Sequence, residues 1–283
     1  MSFEIKSRAE SLEYSTLRIV CDGGLSVGTG FFFTFHGEKS LYAPVLITNK
    51  HVIKDMSSAE LYFHTLDIKS GKHNKLDTVK YFDLQKFITM HPDPKIDLCT
   101  IALKPAFDYL NNLGKEAIYC PYIESDIFIA NGEKDIFNTL SNIQTVHMTG
   151  YPNALWDDVN NKPITRRGIT ASNLHEDWQG QPDFMIDMAC FPGSSGSPVY
   201  VFDEGAFTSG NSMVTSPNGR LLLLGVLHKG PIFNANGEVN IINIPTSSKA
   251  VTTTGIMMNL GIVVKSEKIL DFRELFFPSE NES

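Results

Sequence analysis

The chain has 283 residues, 42% of them hydrophobic and 20% charged. That is room for one large β domain or two small ones around a buried core, and it excludes wholesale disorder. The 32 acidic residues outweigh 24 basic ones, for a formal charge of −8, which excludes a nucleic-acid scaffold because phosphate binding needs a basic surface.

The opening stretch MSFEIKSRAESLEYSTL is charged and has no apolar run, so it reads as neither a signal peptide nor a membrane anchor. Short β-prone runs follow, bounded by turn residues: TLRIVC before DGGLS, GTGFFFTF before HGEKS, then APVLITNKHVI, AELYFHTLDI, VKYFDLQKFITM and DLCTIAL. Pro105 to Leu113 predicts one short helix stopped by Gly114. The polar segment Asn131 to Asn142 is expected to join two halves. TVHMTGYP is a further strand, and Asn153 to Pro182 reads as long loops around one or two strands. DFMIDMAC, SPVYVF, LLLLGVLHKG, VNIINIP and GIMMNLGIVV continue the pattern. LLLLGVL, between Arg220 and His228, is too short to span a bilayer. Ser266 to Phe277 predicts a closing helix with Ser266 as N-cap and Pro278 as stop. Many short strands with sparse helical signal predict an all-β sandwich or barrel. The four cysteines, Cys21, Cys99, Cys120 and Cys190, show no CxxC pairing. They read as small buried apolar residues kept as thiols in a reducing compartment, with no metal site and a cytoplasmic location.

The sharpest chemical signal is Pro192-Gly193-Ser194-Ser195-Gly196-Ser197-Pro198. Hydroxyls set between glycines describe a tight turn whose backbone can approach a ligand closely. Such a turn can aim the N–H groups of Gly193 and Ser195 at the point where an oxyanion forms during acyl transfer. Taken alone, the motif also fits an ordinary Gly/Ser loop. A serine hydroxyl needs a general base, and the base needs a carboxylate to hold its tautomer. His51 closes the run Val45 to Ile53, where it could equally be a packed histidine. Asp97 opens the run Asp97 to Leu103, where it could equally cap the HPDPK loop. Together they give the order His, Asp, Ser, at separations of 46 residues (97 minus 51) and then 98 residues (195 minus 97). That order differs from the subtilisin and α/β-hydrolase orders. Ser197 also breaks the G-x-S-x-G elbow of the latter.

With these residues in place the chain resembles the trypsin-like serine peptidases, closest to their bacterial HtrA-like and intracellular branches. Gly28-Thr29-Gly30-Phe31 is similar to the family's G-S/T-G-F strand. Leu46 to Ile53 is similar to its L-T-N-x-H-V-I/V box, and Asp97 to Ile101 resembles its D-L-A-x-I/L strand. Gly150-Tyr151-Pro152 resembles its G-Y/N-P turn, and Asp187 to Pro198 resembles D-A-A-x-x-P-G-x-S-G-G/S-P. Leu224 to His228 resembles the strand that pairs with substrate backbone. The resemblance implies two six-stranded antiparallel Greek-key β-barrels of the chymotrypsin type with a short C-terminal helix. Residues 1–135 would form the N-terminal barrel with His51 and Asp97, and residues 136–283 the C-terminal barrel with Ser195.

The function implied is a serine endopeptidase with the triad His51, Asp97, Ser195, an oxyanion hole from Gly193 and Ser195, and no metal or other cofactor. Ser194 stands where digestive zymogens carry an Asp, so activation by N-terminal cleavage is not expected. The 88 residues after Ser195 (283 minus 195) leave no room for a PDZ domain. The pocket for the residue before the cut is expected from Ala189, Val226 and His228. Ala189 at its base argues against Lys or Arg, leaving small or apolar residues as the default. Glu or Gln is the alternative if His228 faces the pocket rather than lying elsewhere on the strand. The expected partner is a polypeptide substrate, with no nucleic acid and no membrane. A regulatory protein, a regulated oxyanion loop or narrow specificity is expected to restrain the activity. Two other readings use the same residues: a catalytically silent module that holds a peptide along Leu224 to Gly230, and an esterase.

Overall fold

A computed structural model describes residues 3–130, 132, 139–152, 155–217, 219–239 and 250–278. The first half of the chain builds one curled, mostly antiparallel sheet. Its strands are β1 (Thr16–Cys21), β2 (Ser26–His36), β3 (Tyr42–Thr48), β4 (Ser58–Asp67), β5 (His73–Phe82), β6 (Ile88–Met90), β7 (Cys99–Ala102), β8 (Lys115–Ala117) and β9 (Tyr122–Ile123). Six of them run β5-β4-β1-β2-β3-β7 across the sheet, with β6 beyond β7, β8 beside β4 and β9 beside β2. Between β5 and β7 the curl is joined by a side chain: Tyr81 Oη donates to Ala102 O at 2.8 Å.

Period-two alternation explains where the core sits. On β5 only Val79 and Tyr81 turn inward. They meet Ile19, Phe32, Leu46, Leu61, Phe63 and Ile101 inside the curl. Strand β2 is buried on both faces, from Gly28 to Phe35. Phe32 enters the first core, while Phe31, Phe33 and Phe35 face a second cluster that includes Tyr200, Leu223, Val226 and Val264 from the other half. The Phe-rich run GTGFFFTF therefore welds the halves together.

The second half forms a closed barrel from β10 (Thr145–Gly150), β11 (Ile164–Thr170), β12 (Asp183–Asp187), β13 (Pro198–Asp203), β16 (Arg220–Lys229) and β19 (Leu260–Lys265). Their order is β10-β11-β12-β19-β16-β13. Two hairpins stand outside it, β14 (Ala206–Ser209) with β15 (Ser212–Thr215) and β17 (Ile232–Val239) with β18 (Ala250–Met257). A third core of Val146, Phe184, Val199 and Val263 among others fills the barrel. This curled sheet, closed barrel and helical C-terminus are consistent with the chymotrypsin-like two-barrel fold.

Among the described residues there are four α-helices, α1 (Arg8–Glu13), α2 (Lys50–Ile53), α3 (Lys104–Asn112) and α4 (Arg273–Phe276). Helix α3 matches the expected helix, and Gly114 beyond it takes the positive φ of 73° that only glycine adopts freely. The closing segment differs from expectation. Ser266 to Phe272 forms 3₁₀ turns, and only the last four residues are α-helical. Ser266 is not the N-cap, because its buried hydroxyl donates to Phe128 O at 3.1 Å instead. GIMMNLGIVV is two strands, broken at Asn259 by a φ of 58°. The boundary expected at 135/136, most of Asn131 to Asn142, and nearly all of VNIINIP lie outside the described residues.

The halves also meet through a buried histidine. His64 Nε2 lies 2.8 Å from Asn161 O, an acceptor only, and Nδ1 lies 3.0 Å from His73 Nε2. Nε2 thus carries the proton and the ring is neutral. Burial pushes the His64 pKa down to about 4, against about 6.5 in an unfolded chain. Between those values the unfolded chain binds more protons, so this contribution to stability is complete above pH 6.5 and is lost as pH falls toward 4. We expect the urea midpoint to fall between pH 7.5 and 5, and His64→Gln to flatten that slope.

Candidate active site

Strand β3 stops at Thr48, and Asn49 leads into α2. His51 therefore lies on a helical turn and not at the end of a strand, as the apolar run suggested. The turn lets one residue grip a carboxylate twice. His51 N donates to Asp97 Oδ1 at 3.1 Å, and His51 Nδ1 lies 2.5 Å from Asp97 Oδ2. Asn49 Nδ2 donates to Asp97 O at 2.8 Å, fixing the backbone of the same residue. The His51 side chain stays about half exposed while that of Asp97 is mostly covered.

Burial by itself would raise the Asp97 pKa. The contacts from His228 and His51 outweigh it and hold the carboxyl well below the usual carboxylate range. Asp97 is thus an anion at neutral pH, able to orient His51 with Nδ1 protonated and Nε2 free to take a proton.

The Ser195 turn is built as its glycines suggested, with φ of 85° at Gly193 and 86° at Gly196. Ser197 N donates to Ser194 O, and Gly196 N donates to Leu227 O, which ties the turn to β16. A Cβ on Gly196 would strike the Thr29 carbonyl oxygen. Among the described residues, the N–H groups of Gly193 and Ser195 make no backbone hydrogen bond. They remain available to a developing oxyanion.

Thr29 on β2 fastens this turn to the first half. Its N–H donates to Ser195 O at 2.9 Å and its hydroxyl donates to Gly193 O at 3.0 Å. The same hydroxyl accepts from Tyr151 N at 3.0 Å, and the Thr29 carbonyl accepts from Thr48 Oγ1 at 2.7 Å. Thr48 stands three residues before His51, so one threonine links the serine turn, the strand leading to the histidine, and the Gly150-Tyr151-Pro152 turn. Sequence reading noted the G-T-G-F string without assigning Thr29 this work.

Arg166 is a second residue that sequence reading missed. From β11 it donates through Nη2 to Ser194 Oγ at 2.6 Å and through Nη1 to Ala189 O. It thereby braces both ends of the loop that carries the serine. Its signal was the alternation of β11, where Thr165 and Arg167 are exposed and Arg166 faces inward.

The expected pocket residues separate. Ala189 is half-buried at the loop, with its carbonyl engaged by Arg166. Val226 is wholly buried in the core between the halves, so its side chain offers a substrate no surface. His228 does not line a pocket either. It is buried on β16, with Nε2 3.3 Å from Asp183 Oδ2 and Nδ1 3.8 Å from Asp97 Oδ2. The β16 edge toward the serine turn is paired up to Leu227 and, among the described residues, unpaired from His228 to Gly230. An extended peptide has only that short stretch to add to.

No family model and no curated protein matches the chain. Solved structures do resemble it. An inactive form of a serine-to-alanine mutant of Rv3671c from M. tuberculosis H37Rv is 13% identical with a TM-score of 0.44, over 99% of this chain and 94% of that one. The HtrA-type protease AlgW with tripeptide is 13% identical with a TM-score of 0.45, over 96% of this chain and 65% of that one. The MamO protease domain from Magnetospirillum magneticum, in apo form, is 12% identical with a TM-score of 0.43, over 92% and 96%. Identities and scores this low assign no activity to this chain.

Replacing Thr29 by valine keeps its shape and removes the hydroxyl, orphaning Tyr151 N and Gly193 O. At about 1–3 kcal/mol for each buried unsatisfied group, we expect Thr29→Val to lose about 2–5 kcal/mol in urea unfolding. Thr29→Ser should retain most of the stability.

Proposed function

We propose that this chain is a serine endopeptidase working through His51, Asp97 and Ser195. The observation that carries this reading is the convergence on β2: the His51–Asp97 pair and the Ser195 turn are docked to the same short stretch by Thr29 and Thr48. His51 Nε2 takes the Ser195 proton as Oγ attacks the scissile carbonyl, and Asp97 stabilises the imidazolium. The N–H groups of Gly193 and Ser195 receive the oxyanion, each donor lowering the barrier by about 3 kcal/mol. Collapse of the tetrahedral species transfers the proton to the leaving amine. Water then hydrolyses the acyl-enzyme by the same route. No cofactor takes part.

The substrate in this reading is an extended polypeptide seated on the free stretch of β16 after Leu227. With Val226 and His228 withdrawn, specificity falls to the loop around Ala189, and small or apolar residues fit best before the cut. We further propose that residues 1–135 and 136–283 act as one peptidase unit held by the Phe-rich β2. The four free cysteines support a reducing, cytoplasmic setting, and among the described residues no helix is long and apolar enough to cross a membrane. Arg166, bracing Ser194, supports a loop set without a cleaved terminus, with restraint coming from a protein partner or narrow specificity.

A fluorophosphonate probe is expected to label Ser195, as read by mass spectrometry of the modified peptide, and Ser195→Ala to abolish labelling. On a cleaved peptide, Asp97→Asn should lower kcat by about 10³–10⁴-fold. Absence of labelling and of turnover in the native protein would replace this reading with a catalytically silent module that holds a peptide, or with a latent enzyme that needs a trigger.

A further inference from the structure

The proposed triad leaves one buried charge system unused. His228 is almost fully enclosed, and its two ring nitrogens face two different carboxylates. Asp97 reaches it from the approach to β7 in the first half, and Asp183 from β12 in the second. The side chains of Asp97 and Asp183 are themselves 20% and 11% exposed, so little water screens the three groups. Two anions this close would repel each other and destabilise the interface between the halves unless a cation stood between them. Among the described residues, the His228 ring is the group that lies between the two carboxylates, and as an imidazolium it supplies that cation. At 3.8 Å to Asp97 and 3.3 Å to Asp183 these are ion-pair contacts, and among the described residues neither ring nitrogen makes a hydrogen bond.

We propose that His228, with Asp183 behind it, is a cationic positioning residue that clamps Asp97 at Oδ2, the oxygen that also meets His51 Nδ1. The row Asp183, His228, Asp97, His51 alternates anion, cation, anion and base. This inference rests on the triad reading, because its catalytic consequence runs through His51. The His228 side chain is turned away from the peptide, which in this reading meets only the backbone of the stretch after Leu227. It fixes the carboxylate that orients the base, and it offsets part of the negative field that Asp97 exerts on His51.

The surroundings favour the charged ring. Burial alone would lower the His228 pKa, but the two carboxylates outweigh it and raise it. The other charges facing the group are few. Lys229, next on β16, opposes the imidazolium. Lys50 on α2 bears on Asp97 but points its amine to the His91 and Asp93 carbonyls. Cys99 on β7 is buried and its thiol is pushed up, so it stays neutral. Lys265 at the end of β19 is paired with Asp177 at 2.7 Å. None of these can replace His228 between the two acids.

The test uses the full chain in three forms: His228→Gln, Asp183→Asn and the double variant. His228→Gln leaves both carboxylates uncompensated, so the acid limb of kcat/KM, which reports protonation of His51, should move up by roughly half a unit to one unit. The value of kcat should fall while KM changes little. The double variant removes one charge of each sign and should return the limb toward the native position. NMR titration of the His228 ring reads its charge without catalysis, and its midpoint should lie above about 6.5 and drop in Asp183→Asn. An unmoved acid limb in a folded His228→Gln, or a midpoint below that of a free histidine, would overturn the clamp. Failure of the native protein to label at Ser195 would overturn the endopeptidase reading instead, and the NMR midpoint would still decide the state of His228.

Discussion

The architecture depends on Thr29 more than on any other residue. Its amide, carbonyl and hydroxyl are all used, and each reaches a different part of the chain. Three segments far apart in sequence acquire a common origin of coordinates at one buried side chain. A nucleophile and a base carried by separate halves must be held to within a fraction of an ångström to react. Backbone groups and short threonine hydroxyls achieve that where long flexible side chains would not.

The apolar packing around this point makes the pinning stiff. Because β2 has no solvent face, it contributes Phe32 to one core and Phe31, Phe33 and Phe35 to the next. A shift of the strand by one residue would exchange those two sets and expose neither core correctly. Register is therefore fixed by side-chain volume on both faces, and the hydrogen bonds of Thr29 inherit that precision. The serine turn gains a second brace from Arg166, which spends a half-buried cation on a hydroxyl and a carbonyl without neutralising any acid.

Much of this was legible in the residues. The β-prone runs VKYFDLQKFITM and GTGFFFTF announced strands, though not which of their faces are buried. Gly193 and Gly196 announced a turn with positive φ. The pairing of His51 with Asp97 followed from what a serine hydroxyl needs. Other features rest on distances between residues remote in sequence, which no local pattern encodes. Val226 sits in a strand that any reading would assign, yet only the meeting of two halves decides that it faces a core. For His228 the strand was legible and its direction was left open, because which way the side chain turns depends on Asp97 and Asp183, remote in sequence. Asp183 carried no signal at all, being one acid at the start of an ordinary strand. Ser266 looked like a cap because its sequence neighbours suit one, until a carbonyl 138 residues away claimed its hydroxyl.

The Tyr81–Ala102 contact gives the two halves different mechanical characters. The second barrel is a continuous hoop of backbone ladders, so opening it anywhere breaks several hydrogen bonds at once. The first is a strap, and among the described residues its ends are fastened by one phenol on one carbonyl and by the short 3₁₀ turn Leu84–Phe87 that leads from β5 to β6. Local opening begins where the fewest bonds must part, which puts the weaker seam between β5 and β7. His51 and Asp97 hang from the strap and Ser195 from the ring, so the members of the proposed triad stand on two differently closed supports.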